Sequence, residues 1–585
     1  MHLAAMNGNI DAVRELLNLN SEMVHVKDNE GRNPLHFAAE SGQYLVIKQL
    51  SSKDRLDINE KSGTGKTALM YAAERGHVDF IISALKAGAD QRIQDASGMN
   101  AMMMAAKIGH LDIVSYLVNA PGGIELLTAA APGTRDVHGR TPFLYAAASG
   151  QSALVDWMIK KHGKDIALLD QVDNNNVNAM HLAAKYGQGQ VCSTLVHLGK
   201  AAYLSGQVDD YGQTPLHYAV KLPENGFTEI LDFHTPLPLG KYTCVDIILK
   251  ESNDLNESSH MVNLKDNFGQ TAISRAVEYG CSKTINRLFR AGADPKTTVQ
   301  TKNRKMKNMN MIHYAIYKNQ IEVIDTLIKH GVDRAARMGP DNATPLLLAI
   351  KQGNYLATVK MLHYNNRSDK NVLEYTDKKN QPRTALIWAT IQGNGDILKA
   401  VIGNGANVNF EADNQKLTAL HFAAAKGDNE IATILLNAGA KYDVLDQNGI
   451  SPLDTALYYN NPSVLKNLIY RYEKDFTDTI DADKLTVMFE KAIKFTQNNV
   501  IDLSSAAALR KRDEVLNILN EAAKNHFEAI AGEMDLSAYA DNMYENYYEY
   551  FYPEEFFETA DYEDYGALDV ASRKKRSPRH LKKLD

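Results

Sequence analysis

The sequence predicts an all-α fold. It is a solenoid of about thirteen helix–turn–helix units with short β-turn or hairpin connections, a helical C-terminal cap and a partly disordered tail. Three observations carry that prediction. The chain has 585 residues, far more than one hydrophobic core usually organises. Its composition, 44% hydrophobic and 23% charged, supplies the apolar material that wholly disordered chains lack. The third observation is a phrase that returns along most of the chain: an Asp/Gly-rich turn, Thr-Pro-Leu-His or a relative, a pair of alanines, a glycine, and an apolar helical stripe.

The units run in order. Asp28-Asn29-Glu30-Gly31-Arg32-Asn33-Pro34-Leu35-His36-Phe37-Ala38-Ala39 is one copy, Gly65-Lys66-Thr67-Ala68-Leu69-Met70-Tyr71-Ala72-Ala73 the next, and Asn100-Ala101-Met102-Met103-Met104-Ala105-Ala106 the third. Further copies open at Thr141, Asn178, Thr214, Thr271, Asn310, Thr344, Thr384, Thr418 and Ser451, and a partial copy, His2-Leu3-Ala4-Ala5, starts the chain. Thr or Ser supplies a cap oxygen, and Pro at the next position fits the first helical position, where its missing N–H costs nothing. The alanine pair lets two helices approach closely. Gly42, Gly76, Gly109, Gly150 and Gly187 suit a helix stop at positive φ. A second helix follows with apolar residues at helical spacing, as in Val78, Ile81, Ile82 and Leu85, and ends in phrases such as Ala87-Gly88-Ala89-Asp90. One such pair cannot bury its apolar face alone, whereas stacked pairs can.

Period and phrase resemble the ankyrin repeat over residues 1–472, and the number of copies makes the match specific. The resemblance implies a non-catalytic scaffold or adaptor that binds folded proteins through the turn tips and the concave face of the first helices. Its variable contact positions map here onto Asn29, Glu30, Arg32, His138 and Arg140 in the turns. At the ends of first helices they map onto Glu40, Glu74, Arg75, Lys107, Lys185 and Tyr186. His36, His181, His217, His313 and His421 share one repeat position with His2. They lie along a line rather than converging on a point, so they are expected to bond backbone between neighbouring turns, as in the family. Bulky residues recur at the next repeat position, among them Tyr71, Tyr145, Tyr218 and Tyr314, and are expected to pack between repeats. Gly63-Thr64-Gly65-Lys66-Thr67 suggests a phosphate loop, but Glu60 stands where that pattern needs glycine, and Lys66-Thr67 opens a repeat helix.

The irregularities carry their own expectations. The longest insertion, 222–243, interrupts the Thr214 unit. Smaller ones lengthen the turns at Pro121–Arg135, Lys164–Val172, Asn253–Val262 and Pro295–Asn308, either as part of a binding face or as solvated loops. Lys302, Arg304, Lys305 and Lys307 make one of these a basic finger. Residues 473–532 lose the phrase but keep helical stripes, and are expected to be a degenerate repeat or a cap. Met1 begins in mid-phrase, as a trimmed cap or because upstream residues are missing.

Residues 533–585 form a polarised tail. Twelve acidic residues lie between Glu533 and Asp569 and seven basic ones between Arg573 and Lys583, so the tail carries −6 of the formal net charge of −7. The near-neutral remainder gives no basic footprint for nucleic acid. Tyr544, Tyr547, Tyr548, Tyr550 and Tyr552 crowd the acidic part, either as a helix docked on the last repeat or as a linear motif that orders on a partner. The second reading makes the repeats a targeting arm and the tail an effector or autoinhibitory element. Arg573-Lys574-Lys575-Arg576 resembles a nuclear-import signal or is a plain charged terminus. No stretch approaches the ~20 apolar residues of a membrane span, and no secretory leader is visible. Three cysteines form neither a disulfide framework nor a zinc site. The expectation is a monomer of the cytoplasm or nucleus that needs no cofactor or metal, spans no membrane, binds no nucleic acid, and works through other proteins.

Overall fold

The structure is a computed structural model that describes residues 1–51, 56–128, 133–163, 167–197, 206–220, 244–254, 261–300, 308–339, 342–364, 384–412, 415–475 and, apart from 516 and 520, 514–522. The insertion 222–243, the finger residues Lys302, Arg304, Lys305 and Lys307, most of 473–532 and the whole tail 533–585 lie outside the described residues. So do Tyr544, Tyr547, Tyr548, Tyr550, Tyr552 and Arg573, Lys574, Lys575, Arg576.

The fold is an all-α repeat solenoid, and its described residues fall into two compact units, Met1–Gly339 and Pro340–Asp585. In the first unit the leading helices of the repeats are His2–Met6, Pro34–Glu40, Ala68–Arg75, Ala101–Ile108, Pro142–Ala148, Ala179–Lys185, Pro215–Ala219, Ala272–Glu278 and Met311–Tyr317, each packed on the next. The second unit repeats the arrangement with Pro345–Lys351, Ala385–Gln392, Ala419–Lys426 and Pro452–Tyr458. The second helices, such as Val78–Lys86 and Asn429–Asn437, form the other layer of each stack.

Cap chemistry explains where the leading helices start. The Asn33 side-chain oxygen accepts from the N–H groups of Leu35 and His36, and that of Asn100 from Met103. Thr141 caps Leu144, with Pro142 at the first helical position. The alanine pairs do what the phrase predicts: Ala38, Ala39, Ala72, Ala73, Ala105, Ala106, Ala183 and Ala184 are all 0% exposed, so only methyl groups stand where the leading helices pack. Phe80 and Ile81, then Ile113, Val114 and Leu117, bury the stripe of the second helices.

Two of the smaller insertions contribute apolar side chains to the core through their described residues. Pro121–Arg135 contains a 3-10 turn, Ile124–Leu127, whose Leu126 and Leu127 are buried, and Lys164–Val172 contains another, Leu168–Asp170, that buries Leu168 and Leu169. Gln171 ties the two together by donating to the Leu127 carbonyl while accepting from the Thr141 hydroxyl, both at 2.6 Å. The two 3-10 turns extend the core. At the base of the Pro295–Asn308 finger, Thr298–Val299 pairs antiparallel with Met309–Asn310, Thr298 opposite Asn310. In the degenerate segment, Val515, Leu519 and Ala522 of the apolar stripe are buried.

Candidate protein-interaction surface

Six turns of the first unit are built around one aspartate each. In the Asp209–Gln213 turn, one Asp209 carboxylate oxygen accepts from the N–H of Tyr211 at 2.9 Å and of Gln213 at 2.7 Å. Asp28, Asp95, Asp136, Asp173 and Asp266 do the same in their own turns. The second carboxylate oxygen is then free to hold a side chain nine residues on. Asp136 accepts from the Tyr145 hydroxyl at 2.6 Å, Asp209 from Tyr218 at 2.7 Å, and Asp266 from the Arg275 guanidinium at 2.9 Å. Burial first, and then the adjacent carboxylate, push the phenols of Tyr145 and Tyr218 well above their ordinary value.

The turns are joined by backbone. Gly63 donates to the Glu30 carbonyl, Ala96 to Thr64, Val137 to Ser97, Asn174 to His138, Asp210 to Asn175 and Asn267 to Tyr211, at 2.8–3.3 Å. The last of these bonds bridges straight across the 222–243 insertion, so the row of tips continues where the chain itself is interrupted. Gly65 has φ +80, and a Cβ there would lie 2.7 Å from the Ala96 nitrogen, which is why this turn carries glycine beside the ladder.

Histidines form a second row. His36 accepts the Asn33 N–H on Nδ1 and faces the carbonyls of Glu60 and Lys66 with Nε2, each at 3.1 Å, so Nε2 carries the proton. His217 and His421 repeat this between Thr214 and Gln270 and between Thr418 and Ile450. Burial lowers the pKa values of His36 and His421 and takes His181, whose Nε2 faces the Gln213 carbonyl, down to about 4. Aromatic residues one position after the histidine position of the repeat pack between repeats, with Tyr71 edge-on to His36 at 5.5 Å and Tyr218 edge-on to His181 at 5.4 Å.

The residues that sequence reasoning selected lie along this frame. Asn29, Glu30 and His138 are exposed at tips. Arg32 pairs with Asp28 at 2.8 Å and with Glu40 at 3.2 Å, and Glu40 also takes Arg75 of the next repeat at 2.7 Å. Glu74 pairs with Lys66 at 2.8 Å, Arg140 lies over the Tyr145 ring, and Lys185 over Tyr186. Lys107 lies in the last turn of the helix Ala101–Ile108, and its carbonyl accepts from Gln151. Glu40, Arg32 and Arg75 therefore come together, while the others are spread along the stack. Lys66 pairs with Glu74 and Thr67 opens the helix Ala68–Arg75, so the Gly63–Thr67 phrase is part of a repeat. Among the described residues no group of three or more His, Cys, Asp or Glu could hold a metal ion, and no helix is long and apolar enough to cross a membrane.

The frame of capped turns, neutral bridging histidines and alanine-paired helices is matched by the family model for ankyrin repeats in three copies over residues 1–62, 46–129, 69–170, 123–205, 143–233, 296–374, 358–448 and 386–480. The chain belongs to the ankyrin-repeat family. Between the matched stretches the ankyrin array still contains the Thr271 repeat, with its helices Ala272–Glu278 and Ser282–Arg290. The array is 26% identical over 262 residues to the human palmitoyltransferase ZDHHC17, a match covering 37% of this chain and 40% of that protein. It is 24% identical over 355 residues to the human transient receptor potential cation channel subfamily A member 1, covering 51% of this chain and 30% of the channel. The chain thus spans well under half the length of these relatives. Among solved structures, the ankyrin repeat domain of Bcl-3 aligns at 21% identity and TM-score 0.34, covering 42% of this chain and 94% of that one.

A part of the ankyrin array's surface that sequence reasoning passed over is aromatic. Tyr211 and Phe268 occupy the same place in consecutive turns, 50% and 53% exposed, with their rings stacked at 6.5 Å. Beside Phe268 an open groove is lined by Gln270, Arg275, Gln300, Tyr314 and Tyr317. Its charges are matched: Arg275 pairs with Asp266, and Lys318 with Glu278 at 2.7 Å. The signal was present in the phrase itself, because the third residue of each Asp-x-x-Gly turn reaches the tip, and here two consecutive turns put an aromatic there.

Proposed function

We propose that this chain is a non-catalytic scaffold or adaptor that binds folded proteins through its turn tips and the concave ends of its leading helices. Ankyrin repeats are in general protein-interaction modules. The observation that carries the reading is the division of labour in the turns. The backbone of each tip is committed to the ladder, while the side chain it displays changes from Glu30 to Thr64, Ser97, His138, Asn175, Tyr211 and Phe268. A fixed frame with a variable row of side chains sets specificity without altering the fold. The exposed Tyr211–Phe268 stack is the energetic centre of that row, since aromatic residues and arginine dominate binding energy at protein interfaces. The selected residues Asn29, Glu30, Arg32, Glu40, Glu74, Arg75, Lys107, His138, Arg140, Lys185 and Tyr186 supply its polar surround. Palmitoyl transfer and cation conduction belong to the named relatives, of which this chain spans 40% and 30%.

The test is proximity labelling in cells, comparing the parent chain with a Tyr211→Ala/Phe268→Ala variant. A set of proteins reduced at least tenfold, with an unchanged thermal midpoint, supports the reading. An unchanged set removes these tips from the interface.

A second reading is favoured by the tail's composition: its tyrosines among twelve acidic residues suit a linear motif that orders on a partner of its own. A synthetic peptide of residues 533–569 that enriches none of the proteins lost on truncation at Gly532 would exclude it.

A further inference from the structure

Cys192 and Cys244 lie 52 positions apart in sequence, on the second helices of consecutive repeats, Gly189–Leu195 and Cys244–Asp254. Between them run the helix Pro215–Ala219 and the whole 222–243 insertion. Their sulfurs are nevertheless 2.6 Å apart, with Cys192 fully buried and Cys244 3% exposed. The two helices pack on one another, and Val191, Leu195 and Ile248 on them are each 0% exposed. The Ala183 carbonyl is 3.6 Å from the Cys244 sulfur. Cys281 is elsewhere, beside the Tyr279 carbonyl.

Such a pair is poorly suited to ordinary thiol chemistry. Burial, and then the neighbouring sulfur, keep Cys192 protonated, which makes it a weak nucleophile. What the placement favours is the bond between the two sulfurs. We propose that Cys192 and Cys244 are a reversible thiol–disulfide modification site, closed by a small-molecule disulfide such as oxidised glutathione. One thiolate attacks the glutathione disulfide, forming a mixed disulfide and releasing one glutathione thiolate. The second protein thiolate displaces the other glutathione. Two protein thiols lose two electrons and their two protons, and one glutathione disulfide becomes two molecules of glutathione. The closed bond ties the two ends of the segment that contains the insertion. It stabilises the repeat mainly by restricting the unfolded chain. Because both sulfurs are buried, closure in the folded protein waits for the helix pair to open, so it is slow in the native state and faster during refolding.

The experiment equilibrates the full chain with glutathione buffers from reducing to oxidising, quenches with acid, counts thiols in denaturant, and maps peptides without reduction. The expected count falls from three to one. The expected map shows a peptide pair joining Cys192 to Cys244, Cys281 free, and full reversal by dithiothreitol. The Cys281→Ala variant should close in the same way, and its thermal midpoint should rise by roughly 5 °C on closure. Three free thiols throughout would overturn the proposal. So would a stable glutathione adduct on either residue, or a link to Cys281 or to a second chain. Because Cys281→Ala leaves the pair intact, the result does not depend on whether Cys192→Ser or Cys244→Ser folds.

Discussion

Tyr218 donates to Asp209 at 2.7 Å through the oxygen that the turn leaves unused, so one carboxylate both shapes a tip and anchors it to the helix behind. Both residues are at most 9% exposed. Removing the hydroxyl strands a buried, charged acceptor, which costs about 1.5–3 kcal/mol. Tyr218→Phe should therefore lower stability to urea by that amount, and Asp209→Ala by more, because it also frees the N–H groups of Tyr211 and Gln213. A Tyr218→Phe midpoint indistinguishable from the parent would show that the bond contributes nothing.

The histidine row makes stability depend on pH. His181 has an ordinary value of 6.5 that folding lowers to about 4, so between these values the unfolded chain binds more protons than the folded one. Stability is complete above pH 6.5 and is lost as pH falls toward 4, with a slope of about 1.4 kcal/mol per pH unit for one such group. His36 and His421 shift in the same direction and add to it. A replacement such as His181→Gln should flatten the dependence over this window while lowering stability at neutral pH. If the variant's midpoint falls with acid as steeply as the parent's, another group is responsible.

The first-helix stops hide a steric requirement. Gly76 has φ +86, and a Cβ there would come within 2.8 Å of the His110 ring, whose Nε2 reaches the Glu74 carbonyl. Gly88 has φ +94 but nothing within 4 Å. Gly88→Ala should cost about 1–2 kcal/mol from backbone conformation alone. Gly76→Ala carries that cost and also displaces the ring that ties one repeat to the next. Equal losses, measured by urea denaturation, would mean that the ring moves aside freely.

This contrast marks what the sequence could and could not convey. The phrase made the helices, caps, alanine contacts and bridging histidines legible, because each depends on residues within one or two repeats. Gly76 could be read as a stop, but its role as a seat for His110 depends on a residue 34 positions away. Leu126 and Leu127 looked like loop residues because their burial follows from Gln171 and the neighbouring repeat rather than from a local period. The selected residues lie in the turns and at helix ends. Their mutual pairing, as in Arg32–Glu40–Arg75, depends on side-chain reach, which a one-dimensional pattern does not encode.

That pairing decides how the charged part of the surface should behave. Arg75 is bonded to Glu40 and Glu74 to Lys66, yet the Arg75 side chain is 57% exposed and that of Glu74 41%. Exposed ion pairs contribute about 0–1 kcal/mol and weaken with salt. Reversing both charges, Glu74→Lys with Arg75→Glu, should change the thermal midpoint by no more than a degree or two in 0.15 M salt. The same change places Arg75→Glu against Glu40, which turns an attraction between repeats into a repulsion and alters the surface a partner meets. Partner capture should therefore fall several-fold at low salt and recover as salt rises. Unaltered capture with a lower midpoint would show that the pairs serve the fold, and that the partner is read elsewhere on the array.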